Sequence, residues 1–207
     1  MKINIIEING TYTALFGLGL SYGITSDCKS LTALLTDTDL CNRLLETATR
    51  LAHKQGGHNK FLESINISLD ITAPRYWWSE FDTYRVGVTK QSESTIHTLG
   101  KRDLTADDFE HNLPFDILTI FNNIIDRYRC TENKKEKENL FLTLKNLLPE
   151  GYLQRRIVVL NAKTLQNIIA QRINHRLPEW KQFCDTLRNS LPFHICSWVF
   201  PEGHTAE

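Results

Sequence analysis

The 207-residue chain has no apolar run long enough to cross a bilayer as a helix. It also lacks a charge excess, since 24 Lys and Arg balance 24 Asp and Glu. A neutral chain sets up no global field to draw in nucleic acid or an anionic membrane, which argues against a dedicated DNA-binding protein and leaves room for a local basic pocket. CxxC pairs are missing. The five cysteines (Cys28, Cys41, Cys130, Cys184 and Cys196) are scattered and odd in number. That pattern speaks against a disulfide framework or a structural zinc site and fits a reducing, cytoplasmic setting. The opening MKINIIEING is too short and polar to read as a signal peptide. No internal repeat, low-complexity tract or long linker appears, so a single domain over residues 1–207 is expected.

The composition is that of an ordinary globular protein, with 41% hydrophobic and 23% charged residues and enough chain for a sizeable core. Ile3, Ile5 and Ile8 alternate with polar residues in a first strand that Asn9-Gly10 stops. TALFGLGLSYG reads as a packed turn or short helix. It lacks the lysine of a GxxxxGK[ST] phosphate loop, and its GxG has no third glycine in register. From Asp39, Leu40, Leu44, Leu45, Ala48 and Leu51 recur at helical spacing, and Gly56-Gly57 would close that helix.

The clearest strand runs from Ile65 to Ala73, with Ile65, Ile67, Leu69, Ile71 and Ala73 on one face. Pro74 stops it. PRYWWSEFDTYR can continue as a helix with Trp77, Trp78, Phe81 and Tyr84 on a broad apolar face, and the tryptophan pair is best read as core. Gly100 to Asn112 is polar and loop-like. A helix from Leu113 or Pro114 carries Ile117, Ile120, Phe121, Ile124 and Ile125. TENKKEKEN reads as a charge-dense turn, and Leu140 to Leu148 as a further helix closed by Pro149. A last helical block starts at Asn161, is re-capped near Pro178 and continues with Trp180, Phe183 and Leu187.

In that block Leu165, Ile168 and Ile169 form a buried stripe, and Arg172 projects from the same side. A guanidinium so placed needs a partner. The residues alone leave two readings open: a structural contact at the helix end, or an anionic ligand. Asn161 is well placed as the helix N-cap, which would by itself account for it.

Two segments, Gly57 to His97 and Leu148 to Arg172, resemble the flavin-dependent thymidylate synthases, and the resemblance extends loosely over about residues 10–190. The family's Leu-Pro, hydrophobic stretch and Asn-Ala helix start align with Leu148-Pro149 and Asn161-Ala162-Lys163-Thr164-Leu165, then Asn167 and Arg172, without a gap. The resemblance implies that Asn161 and Asn167 hold flavin and that Arg172 holds the nucleotide substrate. Lys145 stands where the family has a substrate-binding arginine, a swap that keeps the charge and loses the bidentate fork. Beyond Arg172 the family's histidine and Ala-Gln-x-Glu are replaced by Arg176 and Leu177-Pro178-Glu179.

In the first segment Gly57-His58, Leu62-Glu63 and Ala73-Pro74 align, and the resemblance places His58 near the flavin and folate. The family's Arg-His-Arg is replaced by Thr83-Tyr84-Arg85, so Arg85 alone survives as a flavin contact. The family's serine falls at Glu93, with Ser92 and Ser94 on either side and Ser94 as the candidate substitute. Its base-contacting glutamine becomes Glu80, and the glutamate before the serine becomes Gln91. Glu80 and Glu93 make this wall more acidic, which would repel the phosphates the family binds there unless the ligand or its pose differs.

The resemblance implies an α+β fold, an antiparallel sheet flanked by helices, assembled as a homotetramer. Two functions follow, beside a blander reading of a structural homologue with no ligand, against which Lys145, Asn161, Asn167 and Arg172 argue. One is a nucleotide-binding homologue, sequestering or regulatory, with Lys145, Arg172, Ser94, Glu80 and Glu93 around a nucleotide and little or no thymidylate synthesis. Lys145 and Arg172 are then expected to converge on the phosphate, with the two glutamates on the opposite wall. The other is an active FAD-dependent synthase that methylates dUMP to dTMP with methylenetetrahydrofolate and NADPH, with Asn161, Asn167, Arg85 and His58 on the flavin.

Overall fold

Alternation along the first nine residues becomes β1 (Lys2–Asn9), which ends at Gly10 in the left-handed region. The computed structural model describes residues 1–25 and 27–201. After β1 come α1 (Thr11–Ser21), α2 (Leu31–Thr36) and α3 (Thr38–Ala52), then a 3-10 turn (Lys60–Ser64), β2 (Asn66–Pro74) and α4 (Arg75–Phe81). β3 (Val88–Ser92), α5 (Thr95–Thr98), α6 (Phe115–Cys130) and α7 (Lys134–Leu147) follow. The chain closes with β4 (Leu153–Asn161), α8 (Ala162–Arg172), α9 (Pro178–Ser190) and α10 (Phe193–Val199). The four strands form one antiparallel sheet in the order β1-β2-β4-β3, so the fold is α+β as expected. Among the described residues no helix is long and apolar enough to cross a membrane.

Contacts divide the chain into two compact units. The first comprises Met1–Lys2, Ile71–Thr83 and Gln91–Arg156; the second comprises Ile3–Asp70, Tyr84–Lys90 and Ile157 onward. In the first, α6 and α7 pack as a pair over Leu99, Leu104, Phe109, Phe121, Ile125, Leu144, Leu148 and Tyr152. Trp77, Trp78 and Phe81 are fully buried there, with Trp77 stacked on Phe81 and edge-on to Trp78. The core reading of the tryptophan pair holds. In the second unit α1 packs on α3 and the 3-10 turn, and α8 packs on α9 and α10, over Leu15, Leu44, Leu62, Leu165, Ile168, Trp180 and Trp198.

Several boundaries differ from the sequence reading. Of the two readings of TALFGLGLSYG, the helix is found: α1 starts two residues earlier, at Thr11, and ends at Ser21, and Gly19 in it lets the side chains of Thr25 and Leu44 approach its backbone, where a Cβ would lie 2.5 Å from Thr25. α3 ends at Ala52 with His53 as its C-cap, short of Gly56-Gly57. α4 ends at Phe81, so Tyr84 lies outside the helix whose face it was expected to share. TENKKEKEN is chiefly the start of α7: the Asn133 side chain accepts the Glu136 amide as N-cap, and Lys and Glu are good helix formers. α2, β3, β4 and α10 have no counterpart in the sequence reading.

All five cysteines are free. Burial, with Asp185 nearby, pushes the Cys184 thiol up to about 12, whereas Cys130 is exposed. At pH 8 a thiol reagent is therefore expected to modify Cys130 in the native protein and to reach Cys184 only after denaturation. Rapid native labelling of Cys184, read by peptide mass mapping, would contradict this packing.

Candidate functional site

The junction between β4 and α8 is built on Asn161. Its Oδ1 accepts the Thr164 amide at 2.8 Å as the α8 N-cap, and its own amide donates to the Gly87 carbonyl at 3.2 Å. The Thr164 hydroxyl donates to the Val86 carbonyl at 3.0 Å. The turn 83–87 is thereby tied to the start of α8. Gly87 has φ +68°, and a Cβ on it would lie 2.5 Å from Asn161 Nδ2 and 2.7 Å from Thr164 Oγ1. Gly87→Ala is expected to cost about 1–3 kcal/mol, from a strained φ plus the crowding. An unchanged urea midpoint would show that the turn yields more easily than this contact suggests.

From that turn Tyr84 reaches Arg172, the last residue of α8. Arg172 Nε donates to the Tyr84 hydroxyl at 2.7 Å, and the hydroxyl donates to Gln171 Oε1 at 3.0 Å. Gln171 Nε2 in turn donates to Asn167 Oδ1 at 3.1 Å. The guanidinium carbon lies 4.8 Å from the Trp180 ring centre and 5.5 Å from that of Tyr84. His175 meets Trp180 edge-on at 6.3 Å. Arg172 thus finds a phenol and two aromatic faces, a cation–π environment. Its predicted neighbour Asn167 belongs to the same hydrogen-bonded chain. Arg85 is exposed on the turn.

Other expected site residues lie in the first unit. Lys145 Nζ donates to the Thr95 hydroxyl, beside Ser94, whose carbonyl starts α5 by accepting the Thr98 amide. The Glu93 amide donates to the Arg155 carbonyl at 2.9 Å, leaving an exposed carboxylate on the same turn, and Glu80 sits on α4. The sequence reading missed Arg156. Its guanidinium grips both Asp82 oxygens at 3.0 Å, donates to Gln154 Oε1 and lies 4.4 Å over Trp78. Asp82 and Arg156 are 74 residues apart, and no local pattern pairs them. The pair neutralises one carboxylate on this otherwise acidic stretch. Lys145 belongs to the first unit and Arg172 to the second, each with its own partners.

A cleft of about 730 Å³ opens in the second unit between α1 and the segment 56–64, within the size range of small-molecule sites. His58, Lys60, Glu63, Thr13 and Ser21 supply its polar groups; Gly17, Leu18 and Phe61 are on its apolar side. Of the site residues expected from the sequence, His58 is the one that lines it. Among the described residues no cluster of three or more His, Cys, Asp or Glu could hold a metal ion.

No family model matches the chain, and no curated protein does. Solved structures do. The fold is that of the flavin-dependent thymidylate synthases. One such enzyme, ThyX from Helicobacter pylori complexed with FAD and dUMP, superposes with a TM-score of 0.70 at 16% identity, covering 96% of this chain and 98% of the other. A second structure of the same enzyme with FAD and dUMP gives 0.69 at 15% identity over 96% and 97%. A UMP/dUMP methylase, PolB from Streptomyces cacaoi bound with 5-Br dUMP, gives 0.58 at 10% identity over 96% and 94%.

Proposed function

We propose that the protein is a nucleotide-binding homologue on the thymidylate synthase fold, sequestering or regulatory, with little or no thymidylate synthesis. The observation behind this reading is the contact between Tyr84 and Arg172. Tyr84 takes the middle position of the family's Arg-His-Arg, and it binds an arginine of its own chain instead of adding a second cation for a ligand. Thr83, at the first position, turns its hydroxyl back onto the Glu80 carbonyl at 2.7 Å. Neither residue offers the positive charge that the aligned positions carry in the family, while Arg172 keeps its own. A phosphorylated nucleoside is the ligand class that suits this remnant, with its phosphate on Arg172. Lys145, Ser94, Glu80 and Glu93 remain further candidate contacts by resemblance. The solved neighbours, with dUMP or 5-Br dUMP in their sites, support the nucleotide class.

The test is turnover beside binding. Calorimetric titration with a nucleotide panel should return a binder. Tritium release from labelled dUMP, with FAD, methylenetetrahydrofolate and NADPH supplied, should be absent or lower by a few orders of magnitude, the loss expected when a charged contact is removed from a desolvated site. Release at rates typical of the family would sink the reading.

One observation favours the catalytic alternative: the 730 Å³ cleft has the size and mixed lining that part of a flavin nucleotide requires. His58, Lys60 and Ser21 would hold the cofactor there; Arg85 is exposed on the turn and is not among the residues lining the cleft, Asn161 uses its Oδ1 for the helix cap, and Asn167 Oδ1 accepts from Gln171. Reduced FAD, when bound, supplies the hydride in this chemistry. A purified protein that is yellow with flavin would favour the alternative, and a colourless one the binding role.

Assembly belongs to the same proposal. Phe115, Ile117 and Ile120 on α6, with Leu142 and Leu147 on α7, are exposed, and a homotetramer would cover such faces. Light scattering that returned the 23.9 kDa monomer at micromolar concentration would overturn it.

A further inference from the structure

We infer that Tyr84 determines which ligands Arg172 accepts: its hydroxyl occupies the guanidinium Nε, and a ligand group that takes Nε must displace it. The inference rests on the assignment of the phosphate to Arg172. Donor roles in the contact are unambiguous. Arginine nitrogen can only donate, so the Tyr84 oxygen accepts at 2.7 Å, and the phenolic proton is left for Gln171 Oε1 at 3.0 Å. The Gln171 amide then has its Nε2 aimed at Asn167 Oδ1, so every group in the chain is used in one direction. The guanidinium is also held over two rings, and the larger of these, Trp180, is fully buried and edge-on to Tyr84. Tyr84 is therefore seated on both sides, by its hydroxyl and by its ring.

A phenol oxygen is neutral. A charged acceptor forms a hydrogen bond about twice as strong. A phosphomonoester dianion can outcompete the phenol for Arg172, whereas the ribose or base of an unphosphorylated nucleoside exchanges one neutral acceptor for another and gains nothing. Tyr84 thus works as a threshold, excluding ligands without a strong anion at the cost of some affinity for those that have one.

Calorimetry with dUMP and deoxyuridine, which differ only in the phosphate, tests this in wild type, Tyr84→Phe, Gln171→Ala and Arg172→Ala. Tyr84→Phe keeps the ring and removes the competing oxygen. It should tighten dUMP roughly tenfold and tighten deoxyuridine as well, because the phenol no longer competes with a neutral acceptor for Nε. Gln171→Ala is an exposed change that removes the acceptor of the Tyr84 proton, and should tighten dUMP by a smaller factor. Equal or weaker dUMP binding in Tyr84→Phe overturns the inference. If Arg172→Ala abolishes dUMP binding while Tyr84→Phe changes nothing, the phosphate site stands and the role of Tyr84 falls. If Arg172→Ala leaves dUMP affinity unchanged, the phosphate assignment itself falls and the inference with it. Absence of dUMP binding to both wild type and Tyr84→Phe also overturns it. A ligand-free check is the Arg172 Nε–H resonance, protected from exchange in wild type and unprotected in Tyr84→Phe; no protection in wild type would count against the contact in solution.

Discussion

Arg172→Ala is expected to weaken binding of a phosphorylated nucleoside by about 2–5 kcal/mol, roughly 30- to 4000-fold. Arg172 is only half-buried, which places the loss towards the lower end of that range. Truncation removes the charge and also leaves the Tyr84 hydroxyl without its donor and the Trp180 ring without its cation. Arg172→Lys keeps charge but offers neither the flat stacking surface nor the Nε donor, so it should recover little. Calorimetry on both variants measures the effect. An affinity within twofold of wild type in Arg172→Ala would locate the phosphate elsewhere.

The second large effect concerns the first unit's core. Trp78→Ala should cost about 3–5 kcal/mol, the range for emptying a large aromatic from a packed interior. Trp78 is fully buried, packs edge-on to Trp77 and Phe81, and donates its Nε1 to the Gln154 carbonyl at 2.9 Å. It is also the face on which the Arg156 guanidinium rests while gripping Asp82. Removing it takes the indole donor from the Gln154 carbonyl and uncovers the ion pair on one side. Against a typical total stability of about 5–15 kcal/mol, such a loss threatens the fold. Denaturant unfolding reads it directly, and a loss below about 1.5 kcal/mol would mean that the neighbouring rings collapse into the space.

Where side-chain pattern decides the element, the sequence was legible. The alternation from Ile65 to Ala73 gives β2, which starts one residue later at Asn66, and Ile65, Ile67, Leu69, Ile71 and Ala73 are all fully buried. The stripe of Leu165, Ile168 and Ile169 placed Arg172 on the inner side of α8, and Asn161 caps that helix as its position suggested. β3 was not legible because VTKQS carries no apolar alternation; it is an edge strand largely in solvent, so nothing in burial imposes a pattern on it. The charged start of α7 was lost for a related reason, since a solvated first turn looks like a loop until its Asn133 cap is recognised. In the site, the resemblance supplied candidate positions and could not supply their new partners. That Tyr84 would turn onto Arg172, or Arg156 onto Asp82, depends on contacts made across 88 and 74 residues of chain. The cleft beside His58 was invisible for the same reason: α1 and the segment 56–64 build it together.

Trp180 gives the proposed anion site an optical reporter. All four tryptophans are fully buried, and the guanidinium of Arg172 lies 4.8 Å from the ring of Trp180. A positive charge so close to an indole shifts its emission through the electric field it imposes on the excited state. A ligand that moves Arg172 or neutralises its charge should therefore change the intrinsic fluorescence without any added label, and Trp180→Phe should silence that change while the other three indoles go on emitting.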